Sequence, residues 1–218
     1  ASIAYQATNT MKLDRVGFAF TAFQTEINDY IDDGMTGKAN VGGMNCVSHG
    51  NPTLCNGPYR NLGDVEIKGF EAVMTAALNN WDARLTYSHS DSEFTKVNYN
   101  ANYADNSYVS GQSLDDEVGD SISFNLGYLL PQQGLSLNWA TQYVFDLDKD
   151  AEEDAFKEGY DVHAVGLNWT PVTEPEFTLN VGIDNLFDEQ YASHASHDIG
   201  YTDYEKGRSY KLSASYAF

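Results

Sequence analysis

Apolar and polar residues alternate along this chain with a period of two, most cleanly at its C-terminus. There one face reads Tyr210, Leu212, Ala214, Tyr216 and Phe218, and the other Ser209, Lys211, Ser213, Ser215 and Ala217. Successive side chains of a strand point to opposite sides, so this spacing predicts a strand with one apolar and one polar face. The pattern recurs upstream. Phe177, Leu179, Val181 and Ile183 oppose Thr178, Asn180, Gly182 and Asp184, and Val165, Leu167 and Trp169 oppose Ala164, Gly166 and Asn168. Leu135, Leu137, Trp139, Thr141, Tyr143 and Phe145 alternate with Ser136, Asn138, Ala140 and Gln142. Two earlier strands follow the same rule, one on Ile122, Phe124, Leu126 and Tyr128, the other on Trp81, Ala83, Leu85 and Tyr87.

The apolar faces carry aromatic residues towards their ends, at Trp81, Tyr128, Trp139, Tyr143, Trp169 and Tyr216. An apolar band edged with aromatics, backed by Ser, Thr, Asn and Gly, is the signature of a membrane barrel with a polar interior. Connection lengths alternate too. Short ones fall near 8–15, 78–80, 130–134 and 171–176, and long ones near 32–60, 95–118, 146–159 and 188–207. Short turns on one side and long loops on the other match periplasmic and extracellular ends. The expected fold is therefore all-β, a transmembrane antiparallel barrel segment of eight full strands and part of a ninth. Two stretches break phase. Phe18 and Phe20 fall out of step with Phe23, Ile27 and Ile31, and Val65 and Ile67 out of step with Phe70, Ala72 and Met74. A β-bulge at Lys68–Gly69 is the expected cause of the second break.

Composition sharpens this picture. The 15 Tyr, 11 Phe and 3 Trp exceed what a disordered chain carries. A net charge of −20, from 32 acidic against 12 basic residues, excludes ordinary nucleic-acid binding, which needs cations to displace phosphate counterions. No apolar run is long enough for a transmembrane helix. The low mean hydropathy of −0.45 suits strands in which only alternate residues meet lipid. The chain opens in strand-like sequence, Ala1 to Thr8, without a leader, so an N-terminal portion is expected to lie elsewhere. Cys46 and Cys55 flank a turn-rich stretch, and a disulfide in an oxidising compartment is expected, with two free thiols as the alternative. A loop that short gains about 2–3 kcal/mol of local order from the bond.

The tail carries Gly182-Ile183-Asp184-Asn185-Leu186-Phe187-Asp188-Glu189-Gln190-Tyr191, then Gly207-Arg208 and an alternating strand ending in Phe218. It closely resembles the last two strands of TonB-dependent receptors. The segment from Tyr59 to Glu71, with Gly69-Phe70-Glu71, resembles another stretch of that family, and Ala22–Ile31 does so more weakly. The resemblance implies a 22-stranded barrel enclosing an N-terminal plug. Residues 1–218 would then be the C-terminal portion of that one barrel domain, about its last eight or nine strands, with the plug and earlier strands outside this chain. It implies an outer-membrane receptor, not an enzyme, that imports a scarce nutrient by energy-coupled transport, a ferric siderophore first and haem next. Implied partners are the N-terminal part of the same receptor, the TonB energy-coupling complex through that part, outer-membrane lipid and lipopolysaccharide, and a small-molecule metal chelate. Two alternatives stand beside this reading: a self-contained small barrel with a structural or adhesive role, and a receptor for copper or another metal.

Ligand specificity would sit in the loops. The last one holds Tyr191, His194, His197, Tyr201 and Tyr204, the candidate ligand-binding set, in which His194 and His197 could approach one metal or haem iron. Solvated loop histidines are the plain alternative. His49, Met35 and Met44 offer softer donors suited to copper. The acidic run of Asp146, Asp148, Asp150, Glu152, Glu153, Asp154 and Glu158 could gather divalent cations against lipopolysaccharide, or simply be a solvated loop. His89 and His163 sit on lipid-facing phases near outer strand ends, where an interfacial position accounts for them. No phosphate loop, nucleophile elbow or paired acid and base appears, so neither catalytic residues nor a resident cofactor or metal is expected. Alkylation without reductant should leave Cys46 and Cys55 unmodified; labelling of both would refute the disulfide.

Overall fold

The computed structural model describes residues 2–7, 13–32, 45–48, 53–56, 60–98, 110–114, 116–148, 156–196 and 203–218. The strands are β1 (Ser2–Ala7), β2 (Arg15–Asp32), β3 (Asn45–Ser48), β4 (Thr53–Asn56), β5 (Arg60–Leu78), β6 (Trp81–Val97), β7 (Asp120–Leu130), β8 (Leu135–Val144), β9 (Tyr160–Trp169), β10 (Phe177–Asp184) and β11 (Ser209–Tyr216). Nine form one antiparallel sheet in the order β1-β2-β5-β6-β7-β8-β9-β10-β11, while β3 and β4 pair as a separate hairpin between β2 and β5. Apart from that insertion the sheet is an up-and-down meander. No ladder joins β1 to β11 among the described residues.

Register turns the alternation within each strand into rows across the sheet. One row runs Leu78, Trp81, Tyr128, Leu137, Leu167, Val181, Leu212, each residue opposite the next. The corresponding row on the reverse face runs Ala77, Asp82, Gly127, Asn138, Gly166, Gly182, Lys211. The Asp82 carboxylate lies over Gly127 and the Asn138 amide over Gly166, in the space a Cβ on either glycine would fill. The polar face is thereby smoothed by side chains lying along the wall. Trp81, Leu85, Leu137, Trp139, Val181 and Leu212 are all exposed on the apolar face. A soluble monomer rarely leaves so continuous a patch to water, and hydrocarbon is the solvent that suits it. No helix among the described residues is long and apolar enough to span a membrane; paired strands closed into a barrel are the other structure that can.

The phase breaks have a different cause from the one expected. The β2–β5 ladder runs unbroken through Gln24↔Lys68 and Phe23↔Gly69, so there is no bulge at Lys68–Gly69. Irregularities lie further out, at Ile27/Tyr30 and between Asp64 and Val65. What changes near Lys68 is the solvent. The lipid face carries Phe18, Phe20 and Ala22 on β2, Phe70 on β5 and His89 on β6, and then switches to Gln24 and Glu26, Glu66 and Lys68, and Asp91 and Glu93. Lys68 bridges Glu66 at 2.8 Å and Glu93 at 3.4 Å, and Gln24 donates to Glu66 at 2.8 Å. β5 has 19 residues and β6 has 17, against about 10 needed to cross the hydrocarbon. Their outer halves stand above it. There the polar and apolar faces exchange roles, and the inward residues form a small core of Leu62, Val65, Phe94 and Leu114, flanked by Ile27, Tyr30, Ile67 and Val97.

Met74, Leu85 and Phe124 share one row in the middle of the apolar band. Leu85→Arg in the full-length protein should destabilise the fold by roughly 2–4 kcal/mol in lipid vesicles. Ser123→Arg on the opposite face should cost far less. Equal effects in urea unfolding would reject this assignment of faces.

Candidate ligand-binding rim

The loops after β6, β8 and β10 all emerge at the end where the inward core sits, and each is rooted there by a polar side chain. In the first, Glu117 turns its carboxylate back onto the Ser92 amide at 2.9 Å and onto the Ser92 hydroxyl, which also accepts from the Leu114 amide at 3.0 Å. Ser92, Leu114 and Glu117 are buried. Main-chain bonds from Phe94 to Gln112 and from Gly111 to Phe94, both 2.8 Å, lay this loop along β6. In the second, Leu147 and Lys157 exchange a pair of 2.9 Å backbone bonds that pinch its base, and the Asp146 carboxylate accepts from the Gly159 amide at 2.7 Å.

The third loop begins with the Asn185-Leu186-Phe187-Asp188 segment, and the geometry explains the motif. Asn185 is buried with φ 48°, a left-handed conformation that Asn tolerates better than most residues. Its amide donates to Glu189 O at 2.8 Å and Lys206 O at 3.3 Å, and its oxygen accepts from the Glu189 amide at 2.8 Å. Asp188 accepts from the Arg208 amide at 2.7 Å, and a Cβ on Gly207 would crowd the same carboxylate oxygen at 3.0 Å. The outgoing and returning chains are thus stitched together at the rim.

Of the five candidate ligand residues, Tyr191, His194 and Tyr204 are described, whereas His197 and Tyr201 lie outside the described residues. His194 is only 2 % exposed. Its Nδ1 faces Val118 O at 3.2 Å and its Nε2 faces Glu158 O at 2.9 Å. Neutral imidazole donates through one nitrogen and imidazolium through both, and in either form these contacts occupy the positions a metal would need. Tyr191 stacks on Tyr160 at 4.4 Å, and burial, with the Glu205 carboxylate nearby, pushes its phenol upward. Tyr204 pairs through its backbone with Ala192 and leaves its ring exposed. Among the described residues no group of three or more His, Cys, Asp or Glu side chains is placed to hold a metal ion.

The remaining candidates divide similarly. His49, Met35, Met44 and residues 149–155 of the acidic run lie outside the described residues. The β3–β4 register sets Cys46 opposite Cys55. Opposed residues in an antiparallel ladder have Cα atoms about 4.5–5.5 Å apart, within the span of a disulfide. His89 meets the Asp120 carboxylate at 2.6 Å and the Phe70 ring at 5.3 Å. His163 meets Thr141 at 2.7 Å, Asp161 at 3.0 Å and the Phe187 ring at 5.0 Å.

Sequence reasoning missed Ser92, Glu117 and Lys157, whose partners are mostly backbone atoms far away in sequence. It also missed Phe23, which faces inward opposite Gly69, its ring lying over the glycine and 41 % exposed. The phase break at Phe23 and Ile27 was the available signal. Asn185→Ala should destabilise the last loop by about 1–3 kcal/mol, because it removes three hydrogen bonds and strains the left-handed turn. Limited proteolysis of the full-length protein should show faster cleavage between β10 and β11; an unchanged rate would leave the motif without this structural role.

The family model described as "TonB dependent receptor-like, beta-barrel" matches residues 3–186. A curated relative, the TonB-dependent heme receptor A of Haemophilus ducreyi, is 28% identical over 191 residues, covering 81% of this chain and 25% of that protein. This chain therefore spans about a quarter of the relative's length. Among solved structures, the FrpB iron transporter from Neisseria meningitidis (F3-3 variant) superposes with TM-score 0.64 at 19% identity, over 99% of this chain and 30% of that one. The siderophore receptor PiuA from Acinetobacter baumannii gives TM-score 0.64 at 18% identity, over 99% and 28%. The strand faces, the meander, the stitched last loop and the match over most of the sequence lead to one conclusion: this chain belongs to the TonB-dependent receptor family, within its β-barrel domain.

Proposed function

We propose that this chain is the C-terminal part of the barrel wall and rim of a bacterial outer-membrane receptor that imports an iron chelate, with energy delivered through the TonB complex. The observation that carries the reading is the family match, which runs through the strands that build one lipid face and one polar face. Among the described residues β1 and β11 each have a neighbour on one side alone, which supports a need for further strands, because unpaired backbone is not stable in hydrocarbon. Those strands, the enclosed plug and the contact with the energy-coupling complex belong to the rest of the same receptor. The self-contained small barrel fits this arrangement poorly.

A ferric siderophore is the first choice of cargo. The exposed Phe23 ring over Gly69, with Ile27 and Ile67 on the same inward wall, offers an apolar shelf for the organic shell of a chelate. Haem is the second reading, favoured by the relative named as a heme receptor. The copper reading rests on His49, Met35 and Met44 and gains no support from the described residues.

Uptake of radiolabelled iron by cells carrying the full receptor, supplied as ferric siderophore or as haem, separates the two cargoes. Uptake from the siderophore alone supports the first reading, and uptake from haem alone replaces it with the second. Absence of both, with the receptor present in the outer membrane, would refute iron import. Phe23→Ala should weaken chelate binding about tenfold, the scale of one lost aromatic contact.

A further inference from the structure

Four glycines on the inner wall each seat a side chain from the strand opposite. In register, Thr75 faces Gly17, Phe23 faces Gly69, Asp82 faces Gly127 and Asn138 faces Gly166. Each of these facing side chains lies where a Cβ on the glycine would stand. The choice of partner is consistent. Gly127 lies between Asp82 on β6 and Asn138 on β8, yet the atoms nearest its seat all belong to Asp82, while Asn138 leans the other way, over Gly166 on β9. Gly69 lies between Phe23 on β2 and Ser90 on β6, and the side chain nearest it is Phe23, with the His89 carbonyl crowding the same position. The seated pairs thus join β2 to β5, β6 to β7 and β8 to β9, the neighbours connected through the long stretches 33–59, 98–119 and 145–159. Across the short connections at 79–80, 131–134 and 170–176, no glycine among the described residues has a facing side chain as its nearest contact. The remaining long connection, 185–208, begins and ends at the stitch of Asn185, Asp188 and Gly207, and there Gly182 seats nothing, with Lys211 Cβ at ordinary contact distance.

We propose that the glycine seats are register locks, placed where chain connectivity cannot hold the alignment, and that they direct assembly of the wall. A tight turn fixes how its two strands align, whereas a long loop adjusts to a slip at almost no cost. Alternation of faces rejects a slip of one residue, which would turn polar side chains into lipid. It does not reject a slip of two, which keeps every apolar residue outward. A seat does. Displaced by two, Asp82 would meet Asn125 or Leu129, and Asn138 would meet Ala164 or Asn168, each with a Cβ where the seat should be. Each lock reads the absence of one carbon atom, and so marks one alignment out of the series that patterning allows.

Cysteine cross-linking in the full-length protein carrying Cys46→Ser and Cys55→Ser, refolded into lipid vesicles, tests the locks. Residue Tyr87 faces Ile122 in the native register and would face Asp120 or Phe124 after a slip of two. Disulfide yield from Tyr87→Cys to Ile122→Cys, against yield to Asp120→Cys or Phe124→Cys, therefore reads alignment directly. Gly127→Ala and Asp82→Ala should each raise the slipped share about two- to fivefold, the scale of one cross-strand pair. Exchanging the pair, Asp82→Gly with Gly127→Asp, should return it towards the parent value, because the seat is rebuilt from the other side. Asn138→Ala should loosen β8 against β9, read from Tyr143→Cys with Asp161→Cys, and leave β8 in register with β7, read from Tyr143→Cys with Ile122→Cys. An unchanged slipped share in Asp82→Ala or Gly127→Ala would overturn the locks, as would an exchange that slips as much as either. So would equal loosening of β8 on both sides in Asn138→Ala. Should Gly127→Ala not assemble, Asp82→Ala and Asn138→Ala, which only shorten a side chain, decide the question.

Discussion

In hydrocarbon no water is available to a bare amide or carbonyl, and the rest of this structure follows from that constraint. Each strand must give its backbone groups to a neighbour, so the chain is laid down as one antiparallel ladder with consecutive partners. Once the ladder is fixed, the period of two leaves no choice about faces. A row of Leu, Trp, Tyr and Val meets lipid, and a row of Gly, Asn, Asp and Lys meets the interior. Slipping one strand by a single residue would place Asp82 or Asn138 in hydrocarbon, so side-chain burial defends the register that the backbone requires.

The alternation that made the fold legible also shows where sequence reading failed. Strand existence, order and face could be taken from Leu135–Phe145 or Phe177–Ile183 because those segments stay within one solvent on each side. β2 and β5 do not. Their apolar residues change phase where the wall leaves the membrane, since above that level the lipid face becomes a water face and the inner face acquires loops to pack against. A pattern reader sees a slipped register, whereas the ladder shows an unbroken strand crossing between two solvents. Placing Glu66, Lys68, Asp91 and Glu93 on one surface required knowing which strands are neighbours, and that is a property of pairing rather than of any one segment.

The rim was legible as a place but not as an arrangement. Tyr191 and His194 stood out because aromatic and imidazole groups in a long loop invite a functional reading. What the ring of His194 meets are carbonyl oxygens of Val118 and Glu158. Every residue carries such an oxygen, so no sequence pattern marks these two. The same holds for Lys157, whose partners are the carbonyl oxygens of Glu117 and His194. Asn185 and Asp188 were recognised through resemblance, and the physical account came only with the turn they close.

That stitch between Asn185-to-Asp188 and Gly207-Arg208 separates two kinds of evolutionary freedom. Below it, each residue answers to the ladder and to lipid. Above it, the chain leaves at Glu189 and returns at Lys206 from a closed base whose two ends are held together and aligned by bonds of their own. Segments of different length and chemistry can be exchanged on such a mount without retuning the wall beneath. The mounted segment can therefore change without disturbing the ladder, so long as the mount itself is left alone.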